Sequence, residues 1–449
     1  MVKPQVIQDE EQQRVYDRVA AVDVAKATGM VCTRTPDPAR PGRQVSTVWP
    51  VTATMTVIAA LGRKLKQEGI QMVTLEATSD YWRIWYYVLE AAGLAVQLVN
   101  ASQARNLPGR PKTDKLDAIW LAKLTEMGLL RASFVPPPLI RELRDYTRTR
   151  THLVQDRTRY WQRLEKLLEG ALIKLSSVAS KLTTDSARDM ITAMIAGERD
   201  PQVLARKART RMQAKHDALV EALTGMFDEH HGEIAQMLMD QIRALDTRIT
   251  RLGRRIAELT SAMPEGWGID PGGQTGPGAG NGPDAIRLNI AARLDEIPGI
   301  SAELARSIIA EIGLDMSRFP TAAHLVSWAG LCPSAQQSGP RTRKGKKGQG
   351  NKYLRSYLGQ AAIGASHTRT FLGERYHRLA RRRGKTKAQV AIARSILVII
   401  WHLLADPGAR FTDLGEDHYA SRIDKGRRIR NHVRQLEALG YTVTITSAA

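Results

Sequence analysis

The chain has 449 residues, enough for roughly two to four domains with real cores. Lys and Arg number 66 against 45 Asp and Glu, a formal charge of +21 that is too one-sided for an ordinary small-molecule enzyme and calls for a polyanionic partner. No stretch approaches the roughly 20 uninterrupted apolar residues of a spanning helix. The best run, Ile396 to Ala405, is broken by His402, so no membrane partner is expected. The start MVKPQVIQDEEQQ is polar and acidic, unlike a secretory signal. Cys32 and Cys332, far apart, indicate neither a disulfide framework nor a zinc site, and a cytoplasmic location is expected.

After a polar tail over 1–15, short β-rich runs alternate with helical ones: Val19 to Val24, Met30 to Thr35, Val45 to Trp49, Ile70 to Glu76 and Leu94 to Asn100, with helical spacing over Thr52 to Glu68 and Tyr81 to Ala92. Three strands, a helix, a strand, a helix and a strand predict an RNase H-like layered α/β domain over 16–135. Asp23 and Glu76 end two of the apolar runs, and Asp114 and Asp117 sit three apart at the start of a helical pattern, Thr113 to Leu130.

Carboxylates at the carboxyl ends of strands point into the crevice where open α/β sheets bind ligands. An i, i+3 pair on a helix presents two more on one face. Such a set repels itself unless a hard cation neutralises it, and Mg²⁺ prefers oxygen ligands. Two such ions can hold the attacking and leaving oxygens of a phosphodiester. Each residue also has a plain structural reading: strand-end acids cap turns, and Asp114 fits a helix start.

Beyond Pro136-Pro137-Pro138 the chain turns helical and basic. Over Arg141 to Lys174, the cations Arg148, Arg157, Arg159 and Arg163 are interleaved with Tyr146, Tyr160 and Trp161 and are candidates for phosphate contact. A merely solvated face is the alternative, with Leu143, Leu153, Leu164, Leu167 and Leu168 as its buried stripe. A second helical stretch, from about Gln213 to Met263, carries Leu238, Ile242, Leu245, Ile249, Leu252, Ile256 and Leu259, a heptad seam that demands a helix partner in the same chain or another. The basic helical and coiled-coil region thus spans 136–263. A Gly/Pro-rich linker follows over 264–284.

A mainly helical domain is expected over 285–410, then a basic extension over 411–449. Ile297-Pro298-Gly299-Ile300 before the helical run Ser301 to Ile312 resembles a helix-hairpin-helix turn, able to bind phosphate through backbone N–H groups or to act as a plain turn. Ser338-Gly339 precedes Arg341, Arg343, Lys344, Lys346, Lys347, Lys352 and Arg355. A serine among such cations suits attack on a phosphodiester, although Ser-Gly is also a common loop dipeptide.

Several motifs occur in one order: Val22-Asp23-Val24-Ala25-Lys26, Leu75-Glu76-Ala77-Thr78, Lys112 to Ala118, Ile297 to Ile300, Gly330-Leu331-Cys332-Pro333 with Gln337-Ser338-Gly339, and Gly350 to Arg355. As a set they resemble the insertion-sequence transposases of the IS-one-ten family, also called bridge-RNA-guided recombinases, over roughly 16–405. The resemblance implies an N-terminal RuvC-like domain whose DEDD set, Asp23, Glu76, Asp114 and Asp117, binds Mg²⁺. It also implies a C-terminal transposase domain in which Ser338 forms a phosphoserine link with DNA. The partners it implies are a structured guide RNA and double-stranded donor and target DNA, in a bacterial, nucleoid-associated setting.

The chain departs from the family pattern at Lys347-Gly348-Gln349, where members commonly carry a lysine or Ser-Lys-Arg run before the Gly-Asn pair. A homo-oligomer, dimer or tetramer, is expected, and with Ser338 over 200 residues from Asp117 the two halves could meet within one chain or between protomers. A metal-only RuvC-like structure-specific endonuclease, or a non-enzymatic RNA- or DNA-binding protein, are the alternative readings.

Overall fold

The computed structural model describes residues 14–100, 113–263, 288–332, 335–338, 341–344, 350–421 and 425–445, with 335–338 and 341–344 described by their backbone. The stretch expected to be a linker, 264–284, and the candidates Lys346 and Lys347 lie outside the described residues. The chain divides into two compact units, Met1–Val135 and Pro136–Ala449.

The first unit is built on a six-stranded sheet of order β3-β2-β1-β4-β5-β6: β1 Val19–Val24, β2 Thr28–Pro36, β3 Gln44–Thr52, β4 Met72–Ala77, β5 Val96–Asn100 and β6 Ala132–Ser133. β1, β4 and β5 run parallel, while β2, β3 and β6 pair antiparallel. β1 and β4 are mostly apolar and buried because both faces of the sheet are covered there. Helices α1 (Met55–Gln67) and α2 (Trp82–Ala91) cover one face, where Val22, Val24, Val73 and Leu75 pack with Ile58, Leu65, Trp85 and Leu89. Helix α3 (Asp114–Glu126) covers the other, setting Ala118, Leu121 and Ala122 on Val19, Ala21, Cys32 and Val99. Burial pushes the Cys32 thiol up to about 11 against the opposing pull of Arg34.

Among the described residues the second unit is helical apart from the antiparallel pair β7 and β8, Ala335–Ser338 with Arg341–Lys344. Its long helices are α4 (Pro138–Gly170), α5 (Asp185–Ile195), α6 (Glu229–Ala262), α7 (Ala302–Ile312), α8 (Lys352–Ser366), α9 (Phe371–Arg383), α10 (Lys385–Ala405) and α11 (Lys425–Glu437). The heptad seam finds its partner in the same chain: α6 lies antiparallel on α4, as the pairs Arg255–Glu142 and Arg157–Asp246 require. Ile242, Leu245, Ile249 and Ile256 are buried there, so the seam makes an intramolecular helical hairpin.

Helix α10 corrects an expectation from the sequence. It is long and apolar enough to cross a membrane by length and composition, where the sequence predicts no such stretch. The apolar run breaks at His402, whereas the helix extends back through Val390 to Lys385. Ile392, Ile396, Leu397 and Ile400 are fully or almost fully buried among the neighbouring helices, as in a core helix.

Candidate active site

Strand register and side-chain alternation assemble the carboxylates. Val22 of β1 pairs with Leu75 of the parallel β4, so the next residues, Asp23 and Glu76, stand side by side at the carboxyl ends of neighbouring strands. Because side chains alternate, both point to the face covered by α3 rather than to that of Val22 and Leu75. Thr74, two residues before Glu76, fixes α3 there by a 2.7 Å hydrogen bond with Thr125. The N-cap of α3 is Thr113, whose Oγ1 accepts from the Leu116 N–H at 3.3 Å. Asp114 and Asp117 occupy the first turn, where the helix dipole favours negative charge.

The structure thus brings Asp23, Glu76, Asp114 and Asp117 together around one cleft of about 310 Å³, with Gly29, Pro50 and Thr78 in its walls. Glu76 is buried and Asp114 exposed, so the set spans floor to mouth. Ser79, just past Thr78, holds φ of 48°, a left-handed conformation unusual for a residue with a Cβ and characteristic of constrained sites. Oxygen-only donors from three elements around one small cleft fit a hard divalent cation.

Ser338 lies in the other compact unit, at the end of β7, paired in register with Arg341 of β8. The chain leaves the helical framework at Leu331 and rejoins it at Gly350, whose φ is +45°. A Cβ on Gly350 would lie 2.4 Å from the Ala329 carbonyl oxygen, so the two ends of the excursion pack backbone to backbone. Asn351 then caps α8, its Oδ1 accepting from the N–H groups of Tyr353 and Leu354 at 3.0 and 3.2 Å.

The candidate nucleic-acid cations differ in where they point. Arg148 forms a two-pronged pair with the fully buried Glu311, at 2.9 Å for each prong, and stacks over the Tyr353 ring. Burial acts to lower the Arg148 pKa, and the hydrogen bond and charge of Glu311 outweigh it, leaving it raised. Arg157 bonds Asp246 at 2.8 Å. Arg159 and Arg163 are exposed, the first beside Asp156 and the second over Tyr160. Lys352 is exposed and Arg355 half-buried on α8.

The Pro298-Gly299-Ile300 turn does link two helices, Ile290–Asp295 and α7, but its glycine serves close packing. At φ +88° its Cα lies against α8, where a Cβ would fall 2.2 Å from the Ala361 carbonyl oxygen.

Sequence reasoning missed Glu311 and Asn351; the signal available was a lone acid ending the apolar helical run of α7. It also missed the one tight group of metal-type ligands among the described residues, Asp228, His230 and His231. There the Asp228 N–H donates to His231 Nδ1 at 3.2 Å, a helix-start arrangement before α6.

A model of DEDD transposases of the IS110 type matches residues 20–173, which hold the four carboxylates. A model described as the transposase IS116/IS110/IS902 family matches residues 291–378, which hold Glu311, Ser338 and Asn351. The chain is 32% identical over 170 residues to the pilin gene-inverting proteins of Moraxella lacunata and Moraxella bovis, covering 37% of this chain. That match spans 46% of those relatives, under half of their length. An uncharacterized protein of insertion element IS116 from Streptomyces clavuligerus is 25% identical over 324 residues, 66% of this chain and 72% of its own length. With both regions matched in one chain, this protein belongs to the IS110 family of transposases.

Proposed function

We infer that the protein is the recombinase of an insertion sequence, cutting and rejoining DNA strands through a covalent link to Ser338. The observation that carries this reading is the convergence of four carboxylates from β1, β4 and α3 on one cleft. Two relatives named as gene-inverting proteins, and others named from insertion elements, support DNA recombination over hydrolysis. The sheet order, with three central parallel strands, supports a RuvC-like reading of the first unit.

Asp23, Glu76, Asp114 and Asp117 would hold Mg²⁺, which when bound supplies Lewis-acid stabilisation of charge on a phosphodiester. Ser338 attacks phosphorus: the Oγ–P bond forms, a P–O bond of the strand breaks, and the hydroxyl proton passes to the leaving deoxyribose oxygen. Attack by a hydroxyl of the second strand reverses the chemistry and rejoins the DNA. Arg341, Arg343 and Lys344, on the strand paired with that of Ser338, stabilise the negative charge that develops on the phosphate.

A structured guide RNA lies along α4 at Arg159 and Arg163, selecting donor and target duplexes by pairing. The recombinase acts as a homo-oligomer. Denaturing electrophoresis of labelled DNA incubated with protein, RNA and Mg²⁺ tests the reading. A protease-sensitive adduct that Ser338→Ala abolishes is expected, and cleavage at the wild-type rate by that variant would overturn it.

A further inference from the structure

A second cavity, of about 340 Å³, lies in the second unit between α8 and α10. Lys352 and Arg355 line it from α8, Gln389, Val390 and Ala393 from α10, and Leu331 closes one side. Lys352, Arg355, Ser356 and Gly359 stand at i, i+3, i+4 and i+7, one continuous stripe of α8. Across from them Gln389 is anchored, its Nε2 donating to the Gly359 carbonyl at 3.1 Å.

Three observations point to what this cavity takes. The first is chemical: two cations at one end, apolar Leu331, Val390 and Ala393 walls, and one fixed amide are the components of a site for an anionic, partly apolar group. The second is electrostatic. From Lys352 to Ala405 the sequence carries eleven lysines and arginines against the single acid Glu374, so the surrounding field favours a polyanion strand. The third is positional. Leu331, where the chain departs towards Ser338, and Lys352, where it has returned, both line the cavity. The root of the serine hairpin is therefore its rim, and Asn351, held by Glu311 at 2.5 Å, fixes that rim to α7.

We propose that this cavity binds one nucleotide of the DNA strand that Ser338 attacks, with the phosphate on Lys352 and Arg355 and the base between Leu331, Val390 and Ala393. The proposal rests on the recombinase reading and adds a subsite to it. The volume is at the lower end of the roughly 300–1,000 Å³ of small-ligand pockets, so a single nucleotide is accommodated and a duplex is not. A base enters only after leaving its stack, a step that costs least in unpaired or distorted DNA. The subsite thus favours an opened strand over an intact helix, and Gln389 offers the base edge a hydrogen bond.

The test uses the full chain and two fluorescent strands of about 20 nucleotides, oligo-dT and the same backbone with abasic sites throughout, read by anisotropy. Val390→Trp fills the cavity from a half-buried wall position, and Ile363→Trp places the same bulk on an exposed position of α8 outside it. The wild type and Ile363→Trp should bind oligo-dT about tenfold more tightly than the abasic strand, and Val390→Trp should bind both alike. Equal binding of both strands by the wild type, or an undiminished preference in Val390→Trp, overturns the subsite. Should Val390→Trp fail to fold, by circular dichroism, Gln389→Ala replaces it with a smaller expected loss of preference. The adduct assay on element-end DNA is read separately. A Ser338 adduct without base preference removes the subsite alone; base preference without an adduct removes the recombinase reading alone.

Discussion

Arg148 grips Glu311 with both ends of its guanidinium, Nε on Oε1 and Nη2 on Oε2, each at 2.9 Å. The carboxylate is wholly buried, and Arg144 and Asn351 also contact it. Removing Arg148 takes away the two-pronged partner of a buried charge and leaves it to Arg144, 3.5 Å away, and Asn351. Arg148→Ala should therefore destabilise the second unit by about 3–5 kcal/mol, measured by chemical denaturation. Glu311→Gln combined with Arg148→Met should cost less than the sum of the two single changes, because the second change removes a charge that the first has left without its partner. Additive losses would show that the pair is not coupled.

Pairing with acids separates the cations of α4 into held ones, Arg148 and Arg157, and exposed ones, Arg159 and Arg163. Neutralising the exposed Arg159 and Arg163 should lower the salt dependence of RNA binding by about 0.7–0.9 per lost phosphate contact. Arg157→Ala, which breaks the bond to Asp246, should cost stability and leave that slope in place. A slope unchanged by losing Arg159 and Arg163 would place RNA elsewhere.

Four carboxylates around one cleft repel each other, and a divalent cation relieves the repulsion. Mg²⁺ should raise the unfolding temperature of the wild type, and Asp23→Asn or Asp117→Asn should weaken that response while abolishing strand exchange. RNA binding should stay near the wild-type level. Recombination at full rate in EDTA would sink the metal assignment.

Gly299 cannot carry a side chain. Its φ of +88° is one obstacle, and the other is the Ala361 carbonyl oxygen, which a methyl group there would meet at 2.2 Å. Gly299→Ala should cost about 3 kcal/mol or more, seen as a lowered denaturation midpoint. A loss below about 0.5 kcal/mol would mean that the turn is not pressed against α8.

Cys32, pushed up to about 11 by burial, stays a neutral thiol in the fold at pH 9, where an unfolded thiol is half ionised. Proton binding is thus stronger in the folded state, and the associated stability is complete below pH 9 and lost as the pH rises to about 11. Unfolding free energy should fall over that window by about 2 kcal/mol more in the wild type than in Cys32→Val. Iodoacetamide at pH 9 should label Cys32 only on unfolding; rapid labelling of the folded chain would contradict this.

Much of the first unit is legible in the sequence because β1 and β4 are apolar runs that reach an acid at their ends. The run Val19–Val24 has the bounds of the strand itself, and the helical spacings match α1 and α2 within three residues at either end. The two-residue β6 carries no pattern of its own, since it exists only by pairing with Leu98 and Val99. Carboxylate convergence follows from strand ends, whereas the fixing of α3 by Thr74 and Thr125 is a tertiary fact. Arg148 and Arg157 look identical to Arg159 and Arg163 in sequence. What separates them is the location of Glu311 and Asp246, acids about 90 to 160 residues away in the chain.

The contact between Gly350 and Ala329 brings the two ends of the serine-bearing stretch together on the helical frame. Since its two ends already touch, lengthening or shortening it changes closure entropy only slowly and asks nothing of the helices beneath. The stretch that carries Ser338 is thereby exchangeable as a cartridge: a hairpin from a relative, seated between Gly330 and Gly350, would bring its own reach and register while the helical frame stays as it is.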